Sequence, residues 1–416
     1  MTFLSRLAAT AGVVAVNASS VVAQTARATT QWDAAIHYDS LTVPFPLSLE
    51  IAGTSVKATL YNGDEPVLST SGVRRGDSLV IAFDHLASEL RVRLSGDSLS
   101  GVFGPRTGKG SHVVVASRHA SSVATADAPD ISGTWLIPAR SSKGEGTWRF
   151  VVRQTGARVV ATILRVDGDA GAHVGTWANG RFVLNHFDGT RPSQIEVVPA
   201  PDGTIDVTVN STRGRGQTVR ALRPDVALAQ GLALPADFAA HTRVKNPDDV
   251  FGFSYPDLDG KIVSNTDARF ANKVVIVAIG GTWCPNCHDE APFLAQLYKR
   301  YRERGVEIVG LDFEDSTQLK TLDRPRAFAK KYGIEYPFLI AGATNELHAK
   351  ITVADSLDSW PTTFFLGRDG RVRAIHAGFA APASGVFHAQ LIAEYDETIE
   401  RLLAESPVTV RRGKQR

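Results

Sequence analysis

Two cysteines, Cys284 and Cys287, are the only ones in the 416-residue chain, and they stand in a Cys-Pro-Asn-Cys segment. The residues before them, 274–279, form a continuous apolar run that is typical of a strand buried on both faces. The residues after them have a helical pattern. A thiol at the start of a helix lies beside unpaired backbone N–H groups, which favour its thiolate, and a second thiol one turn later is close enough to form a disulfide with it. The segment therefore predicts a redox-active dithiol.

The elements around the dithiol alternate between strands and helices. The pattern predicts strands over 273–279, 306–312, 336–340, 362–366 and 372–376, and helices over 285–304, 324–332, 345–351 and 384–404. Such an alternation, ending in a hairpin and a helix, predicts an α/β sandwich.

The C-terminal part of the chain, residues 248–405, resembles the thioredoxin superfamily and, within it, the exported TlpA/ResA-like thiol-disulfide oxidoreductases. Trp283 precedes the first cysteine as in that family, and Pro292 follows the second by five residues, where relatives kink the helix. The segment Trp360-Pro361-Thr362 is similar to the family's cis-proline motif, and residues 253–261 resemble its added N-terminal hairpin. The β-rich half of the chain lies outside the resemblance.

The resemblance implies roles for these residues. Cys284 is expected to be an exposed nucleophile that attacks a partner's disulfide, and Cys287 to resolve the mixed disulfide, leaving a Cys284–Cys287 redox disulfide. Pro361 is expected to be cis, with backbone groups of Trp360 pairing with a substrate chain. The expected substrate-binding residues are Trp283, Trp360, Pro361 and Thr362.

Glu290 matches the position where TlpA/ResA-like proteins carry an acidic residue that tunes the thiols. A carboxylate one turn from Cys287 could move a proton to or from it; a solvated helix acid is the alternative. Many thioredoxins also have a buried Asp six residues before the first cysteine, where this chain has Ala278, so we expect no relay there. His288 could lower a thiol pKa by its charge or could simply lie at the surface.

Residues 31–225 form a β-rich region of short alternating runs separated by Gly, Asn and Asp. Segments near 53–60 and 79–84 align with segments near 156–163 and 182–188, which points to two repeats at about 36–120 and 130–225, with chance similarity as the alternative. The repeats could join in one antiparallel barrel or sandwich, or form two separate small domains. No catalytic or metal-binding pattern is present there.

The first 23 residues resemble a secretory signal peptide, with one arginine, a short apolar run and Val21-Val-Ala23 at the end. No cysteine follows for a lipid anchor, so we expect a periplasmic or secreted protein that does not span a membrane after processing. Residues 226–247 are predicted to link the β-rich region to a thioredoxin-like domain over 248–408. A formal net charge of +2 gives no reason to expect nucleic-acid binding.

The sequence thus predicts an exported thiol-disulfide oxidoreductase that reduces protein disulfides. Its expected partners are a substrate protein with disulfides or thiols and an electron-donor thiol protein, which could be membrane-bound; no organic cofactor and no metal are implied. A peroxiredoxin-like peroxidase is one alternative, although Thr282 is too close to Cys284 for that family's spacing. The other is a metal-delivery protein using both cysteines and a histidine, with His348, His376 and His388 as candidates.

Overall fold

A computed structural model of the chain describes residues 28–120 and 127–406. The predicted signal peptide, residues 1–23, lies outside the described residues. Two antiparallel all-β sheets are followed by a thioredoxin-like α/β part, which confirms the predicted fold class. Within the described ranges, no helix combines the length and the apolar character needed to cross a membrane.

The first sheet is a closed antiparallel ring of eight strands. Its order is β2-β1-β9-β8-β7-β6-β5-β3, and β3 returns to pair with β2, while β4 extends from β3. Alternate residues along each strand point inward and fill the ring with apolar side chains, so the interior is a packed core. The strands are β1 (Ala28–Tyr38), β2 (Leu41–Ala52), β3 (Ser55–Asn62), β4 (Glu65–Leu68), β5 (Ser71–Arg75), β6 (Ser78–Phe83), β7 (Ser88–Ser95), β8 (Ser98–Pro105) and β9 (His112–Arg118).

The second sheet repeats this plan. Its first and last strands are joined by Leu136 and Leu222, which exchange two backbone hydrogen bonds of 2.8 and 3.0 Å. The strands are β10 (Gly133–Pro138), β11 (Thr147–Thr155), β12 (Arg158–Arg165), β13 (Gly168–Asp169), β14 (His173–Ala178), β15 (Arg181–His186), β16 (Ser193–Pro199), β17 (Ile205–Ser211) and β18 (Gly214–Ala221).

The two repeats therefore do not share one barrel. Each has its own sheet and its own apolar core. The physical reason is that each repeat supplies enough strands to close its own edges, so neither needs the other to satisfy its backbone hydrogen bonds. Of the two arrangements that the sequence left open, the structure has the separate one.

The segment between the second sheet and the α/β part contains short elements. Helices α1 (Pro224–Ala229) and α2 (Phe238–His241) precede strand β19 (Arg243–Val244), which pairs with β25 (Ala354–Asp355) of the C-terminal part. Residues 226–247, expected to be a linker, are thus tied to the domain that follows them.

The C-terminal sheet has the order β24-β23-β22-β26-β27, with the first three strands parallel and the last two antiparallel. Strand β22, Val-Val-Ile-Val-Ala-Ile-Gly, is central and buried on both faces, between one apolar cluster that includes α3 and α7 and a second cluster on the opposite face. The elements are the hairpin β20 (Ser254–Pro256) and β21 (Ile262–Ser264), then β22 (Val274–Gly280), α3 (Pro285–Tyr301), β23 (Val306–Glu314), α4 (Gln318–Thr321), α5 (Asp323–Tyr332), β24 (Phe338–Ala343), α6 (Leu347–Lys350), β25, β26 (Thr362–Leu366), β27 (Val372–Ala377) and α7 (Val386–Leu403).

Candidate active site

The dithiol lies where the central strand β22 gives way to helix α3. Cys284 is the residue that caps α3, and its sulfur accepts a hydrogen bond from the backbone N–H of Cys287 at 3.4 Å. Pro285 occupies the first helical position, where its missing N–H would be unpaired anyway. Both cysteines are free thiols. The first turn of the helix thus points the N–H of Cys287 at the Cys284 sulfur.

The loop before β26 forms the opposite wall of this site. The Trp360–Pro361 peptide bond is cis, as expected, and the Cys284 thiol lies 3.6 Å from the carbonyl oxygen of Trp360. The indole of Trp283 packs edge-on against that of Trp360 at 5.2 Å and donates a hydrogen bond to Phe313 O at 2.8 Å. The structure therefore brings together the cysteines and the loop that the resemblance assigned to substrate binding.

Thr362 differs from the other three residues expected to bind substrate, Trp283, Trp360 and Pro361. Its side chain is fully buried, and its hydroxyl donates to the carbonyl oxygen of Ser359 at 2.8 Å. This contact is internal to the loop. The side chain of Thr362 therefore supports the shape of the loop. It does not face the groove, by which we mean the space between the start of α3 and the loop before β26.

The expectation that Cys284 is exposed is wrong in this structure, because only 3% of the residue is accessible to solvent. Asn286, between the two cysteines, donates a hydrogen bond to Asp167 O at 2.6 Å, so the second barrel touches the wall that carries the thiols. Lys143 of the same barrel pairs with the Asp167 carboxylate and donates to Asp358 O at 2.6 Å, on the opposite wall. Both walls of the groove therefore hold contacts from the second barrel.

Residues 166–169, which we call the covering segment, meet the C-terminal domain through their backbone. Gly168 forms a parallel bridge with Phe379, and the N–H of Asp169 donates to Phe379 O at 3.3 Å. A Cβ atom on Gly168 would lie 2.1 Å from Phe379 O, so only glycine permits this approach. The neighbouring Gly378 N–H donates to Pro361 O at 2.7 Å. The covering segment therefore lies directly beside the cis-proline loop.

Cys287 lies inside the domain, as a resolving thiol should. It is 6% exposed, and a Cβ atom on Gly280 would lie 3.1 Å from its sulfur, so the thiol rests on the central strand. Burial raises the pKa of the Cys287 thiol well above its ordinary value. A proton acceptor is therefore needed before Cys287 can attack a disulfide.

Glu290 lies one helical turn after Cys287 on α3. It is buried, and its Oε1 accepts hydrogen bonds from the hydroxyls of Thr363 at 2.7 Å and Tyr395 at 3.4 Å. Burial raises the pKa of Glu290 from 4.5 to about 7. The alternative of a solvated helix acid is therefore wrong, and the carboxyl changes charge near neutral pH.

His288 does not supply a positive charge to the thiols. Its Nε2 donates to Thr282 O at 2.9 Å, so its Nδ1 accepts from the Tyr332 hydroxyl, also at 2.9 Å. Burial lowers the pKa of His288 to about 4, and the ring is neutral at pH 7.

A buried acidic pair on β23, Asp312 and Glu314, was not singled out from the sequence. Glu314 accepts hydrogen bonds from the N–H of Thr282 at 2.9 Å and from its hydroxyl, and Arg324 donates to it at 2.5 Å. The available signal was two acids at the end of an apolar run, Asp312 and Glu314, since acidic side chains are rarely buried unless they are paired. Through Thr282, Glu314 anchors the turn that carries Trp283 and Cys284.

The histidines proposed as metal ligands do not gather at the thiols. The Nδ1–H of His388 donates a hydrogen bond to Ala380 O, and the Nδ1–H of His376 donates one to Gly378 O. Among residues 28–120 and 127–406, no group of three or more His, Cys, Asp or Glu side chains could hold a metal ion.

The C-terminal part has relatives of known family. The model of the AhpC/TSA family matches residues 247–375. The thiol-disulfide oxidoreductase ResA of Bacillus cereus is 33% identical over 135 residues, which are 32% of this chain and 71% of the relative. ResA of Bacillus subtilis is 28% identical over 143 residues, or 34% and 73% of the two chains. A solved thiol:disulfide interchange protein from Chlorobium tepidum is 27% identical, with a TM-score of 0.31, covering 39% of this chain and 100% of its own.

The dithiol at the start of α3 and the cis-proline loop lie within the matched region. The ResA relatives match this region at a level that shows common family. The chain therefore belongs, through its thioredoxin-like C-terminal domain, to the ResA family of thiol-disulfide oxidoreductases.

Proposed function

We propose that this oxidoreductase is exported and reduces disulfides in other proteins through Cys284 and Cys287. The observation that carries the proposal is the position of Cys284, which caps a helix and faces the carbonyl oxygen of Trp360 across the groove. A nucleophilic thiolate and an extended-chain docking edge are thus side by side. Export to the periplasm or the outside rests on the signal peptide expected over residues 1–23.

The reaction transfers two electrons and two protons. The Cys284 thiolate attacks one sulfur of the substrate disulfide, and the other substrate sulfur leaves with the electron pair and takes a proton. Cys287 then loses its proton and attacks the Cys284 sulfur, which releases the second substrate thiol and leaves the Cys284–Cys287 disulfide. An electron-donor thiol protein returns the pair to the reduced state. No organic cofactor takes part.

Glu290 takes the proton of Cys287 in the second step. Its carboxyl lies one helical turn from Cys287 and is ionised in part of the molecules at pH 7, because burial raises its pKa to about 7. A base whose pKa is close to the working pH combines a useful ionised fraction with adequate basicity.

The covering segment must leave the groove before a protein disulfide can reach Cys284. The contacts that hold it are few: Asp167 O with Asn286, Lys143 with Asp358 O, and Gly168 with Phe379. Local opening of a few contacts takes place without unfolding of the domain. The second barrel thereby limits how often the dithiol is available.

A turnover assay with insulin disulfides and dithiothreitol as electron donor tests the proposal. The full chain should accelerate insulin reduction, Cys284→Ser should abolish the acceleration, and Cys287→Ser should accumulate a mixed disulfide between Cys284 and insulin. Equal, uncatalysed rates for wild type and Cys284→Ser would contradict the proposal. Rapid peroxide consumption without insulin reduction would favour the peroxidase alternative, and copper binding that protects both thiols would favour metal delivery.

A further inference from the structure

Asp312 is a buried acid that the reaction described above does not use. It lies on β23, is 2% exposed, and its Oδ2 has no hydrogen-bond partner among the described residues. An unpaired carboxyl oxygen inside a protein is costly, so its presence in the interior calls for an explanation.

The sheet register places this carboxyl beside Cys287. Asp312 is the partner of Gly280 in the parallel β22–β23 ladder, and partners in a parallel ladder point to the same face. On that face, a Cβ atom on Gly280 would lie 3.1 Å from the sulfur of Cys287. The side chain of Asp312, on the neighbouring strand, therefore points to the same face of the sheet on which the Cys287 sulfur lies.

A cavity of about 30 Å³ connects the groups. Cys287, Glu290 and Asp312 all line it, and so does Ala278. A volume of this size has room for one water molecule, and the carboxyls of Glu290 and Asp312 and the thiol of Cys287 would be its polar partners. The carboxyl that the sequence showed to be missing at position 278 is therefore supplied by the next strand, in the same cavity.

Burial and a neighbouring carboxylate favour the protonated form of Asp312. Arg324 donates to Glu314 and Asp315, at 2.5 and 2.6 Å, and its charge lowers the pKa of Asp312 by less than burial and Glu314 raise it. Burial, and then the charge of Glu314, raise the pKa of Asp312 well above its ordinary value. The remaining titratable groups that face it are Cys287 and Glu290 on α3, and Tyr336 before β24, whose pKa is raised by burial so that it is neutral.

We propose that Asp312 exchanges a proton with the sulfur of Cys287 through a water molecule in this cavity. The proposal rests on the proposed dithiol cycle. When the donor's thiolate attacks Cys284, the S–S bond breaks, the electron pair goes to the Cys287 sulfur, and that sulfur takes the proton of Asp312. When Cys287 later attacks the mixed disulfide, its proton goes to one of two carboxylates, either to Glu290 as described above or through the water back to Asp312, as the substrate sulfur leaves with the electron pair.

The test is the pH dependence of the dithiol in the full chain. The reduction potential is measured against pH in dithiothreitol buffers for wild type, Asp312→Asn and Asp315→Asn. Asp315 contacts the same Arg324 and lies outside the cavity, so its substitution is the matched control. A carboxyl whose proton affinity differs between the disulfide and dithiol forms bends this plot. The bend should be lost in Asp312→Asn and kept in Asp315→Asn.

A kinetic readout follows the same proton. A mixed disulfide of Cys284 with thionitrobenzoate is resolved by Cys287, and release of the dye reports that step. Asp312→Asn should slow the release by roughly 10-fold or more, since a positioned acid–base group contributes about 10²-fold and Glu290 remains. Asp315→Asn should release the dye at the wild-type rate.

The outcomes separate the two proposals. A cycling protein in which Asp312→Asn matches wild type in both the plot and the release rate would overturn the role of Asp312 alone. A wild-type dithiol that never cycles would overturn the proposed function and this inference with it. If Asp312→Asn does not fold, infrared difference spectra of the Glu290→Gln protein, oxidised minus reduced, should show a protonated-carboxyl band that changes, and an unchanged carboxyl region would contradict the proposal.

Discussion

Asn286, which stands between the two cysteines, donates a hydrogen bond to the backbone oxygen of Asp167 in the second barrel at 2.6 Å. This contact joins the redox motif to a part of the chain that the ResA relatives do not match. The β-rich half therefore contacts the Cys-Pro-Asn-Cys motif directly, through the residue between the two cysteines.

Lys143→Ala should make Cys284 react faster. The substitution removes the contacts of Lys143 with Asp167 and with Asp358 O, which hold the covering segment to both walls. The Lys143 pair is partly exposed, so a loss of about 1 kcal/mol and a rate increase of about fivefold are expected. The measurement is the rate of iodoacetamide labelling in a Cys287→Ser background.

Lys245→Ala is the control for that experiment. Lys245 pairs with Asp355 at 3.5 Å on the exposed surface, and its loss should leave the labelling rate unchanged. Gly168→Val is a second variant, since its Cβ atom cannot fit against Phe379 O. Wild-type labelling rates in both Lys143→Ala and Gly168→Val would show that the covering segment does not limit access.

Glu290→Gln should remove a pH-dependent step near neutrality. The carboxyl accepts the proton of Cys287 only when ionised, and its pKa is about 7, so resolution of the mixed disulfide should slow as the pH falls through 7. Glu290→Gln should be slow at every pH between 6 and 8. A profile for Glu290→Gln that still bends near 7 would assign that bend to another group.

The same carboxyl affects folding stability with a definite sign. The pKa of Glu290 is higher in the folded protein, about 7, than its ordinary 4.5, so the folded state binds the proton more tightly. Stability is greatest below pH 4.5 as far as this group is concerned, and it declines by about 3 kcal/mol as the pH rises to 7. Urea unfolding of Glu290→Gln should lack this part of the decline, and identical pH slopes for the two proteins would contradict it.

Arg324→Met should destabilise the domain strongly. Its guanidinium is the cation bonded to the fully buried Glu314, and removing one partner leaves an uncompensated buried charge, which costs about 3–5 kcal/mol. Arg326→Met, which breaks an exposed pair with Asp259, should cost less than about 1 kcal/mol. The comparison is made by urea unfolding, and equal losses would show that the buried pair does not anchor the site.

Much of the C-terminal domain could be predicted because its signals are local. The apolar run before Cys284 became β22, and the helices expected over 285–304 and 384–404 became α3 (Pro285–Tyr301) and α7 (Val386–Leu403). Period and length identify such elements without knowledge of their neighbours. The dithiol was expected from its place between a strand and a helix, whereas the cis-proline loop was expected from the resemblance to the thioredoxin superfamily.

Contacts between distant segments could not be predicted in this way. Asp167 and Asn286 are 119 residues apart, and nothing in either segment indicates that they meet. The register that places Asp312 beside Cys287 depends on which strands are neighbours, which the periodicity of one strand does not contain. The closure of each repeat into its own ring is likewise a property of strand pairing.

The most direct test of the proposed dithiol cycle is a redox titration of the full chain in dithiothreitol buffers, with the thiols counted by alkylation and mass spectrometry. Cys284 and Cys287 should pass reversibly between dithiol and disulfide in a single two-electron transition, at a potential nearer to about −270 mV than to about −120 mV, as suits a reductant. Thiols that stay reduced or unreactive throughout the titration would contradict the account.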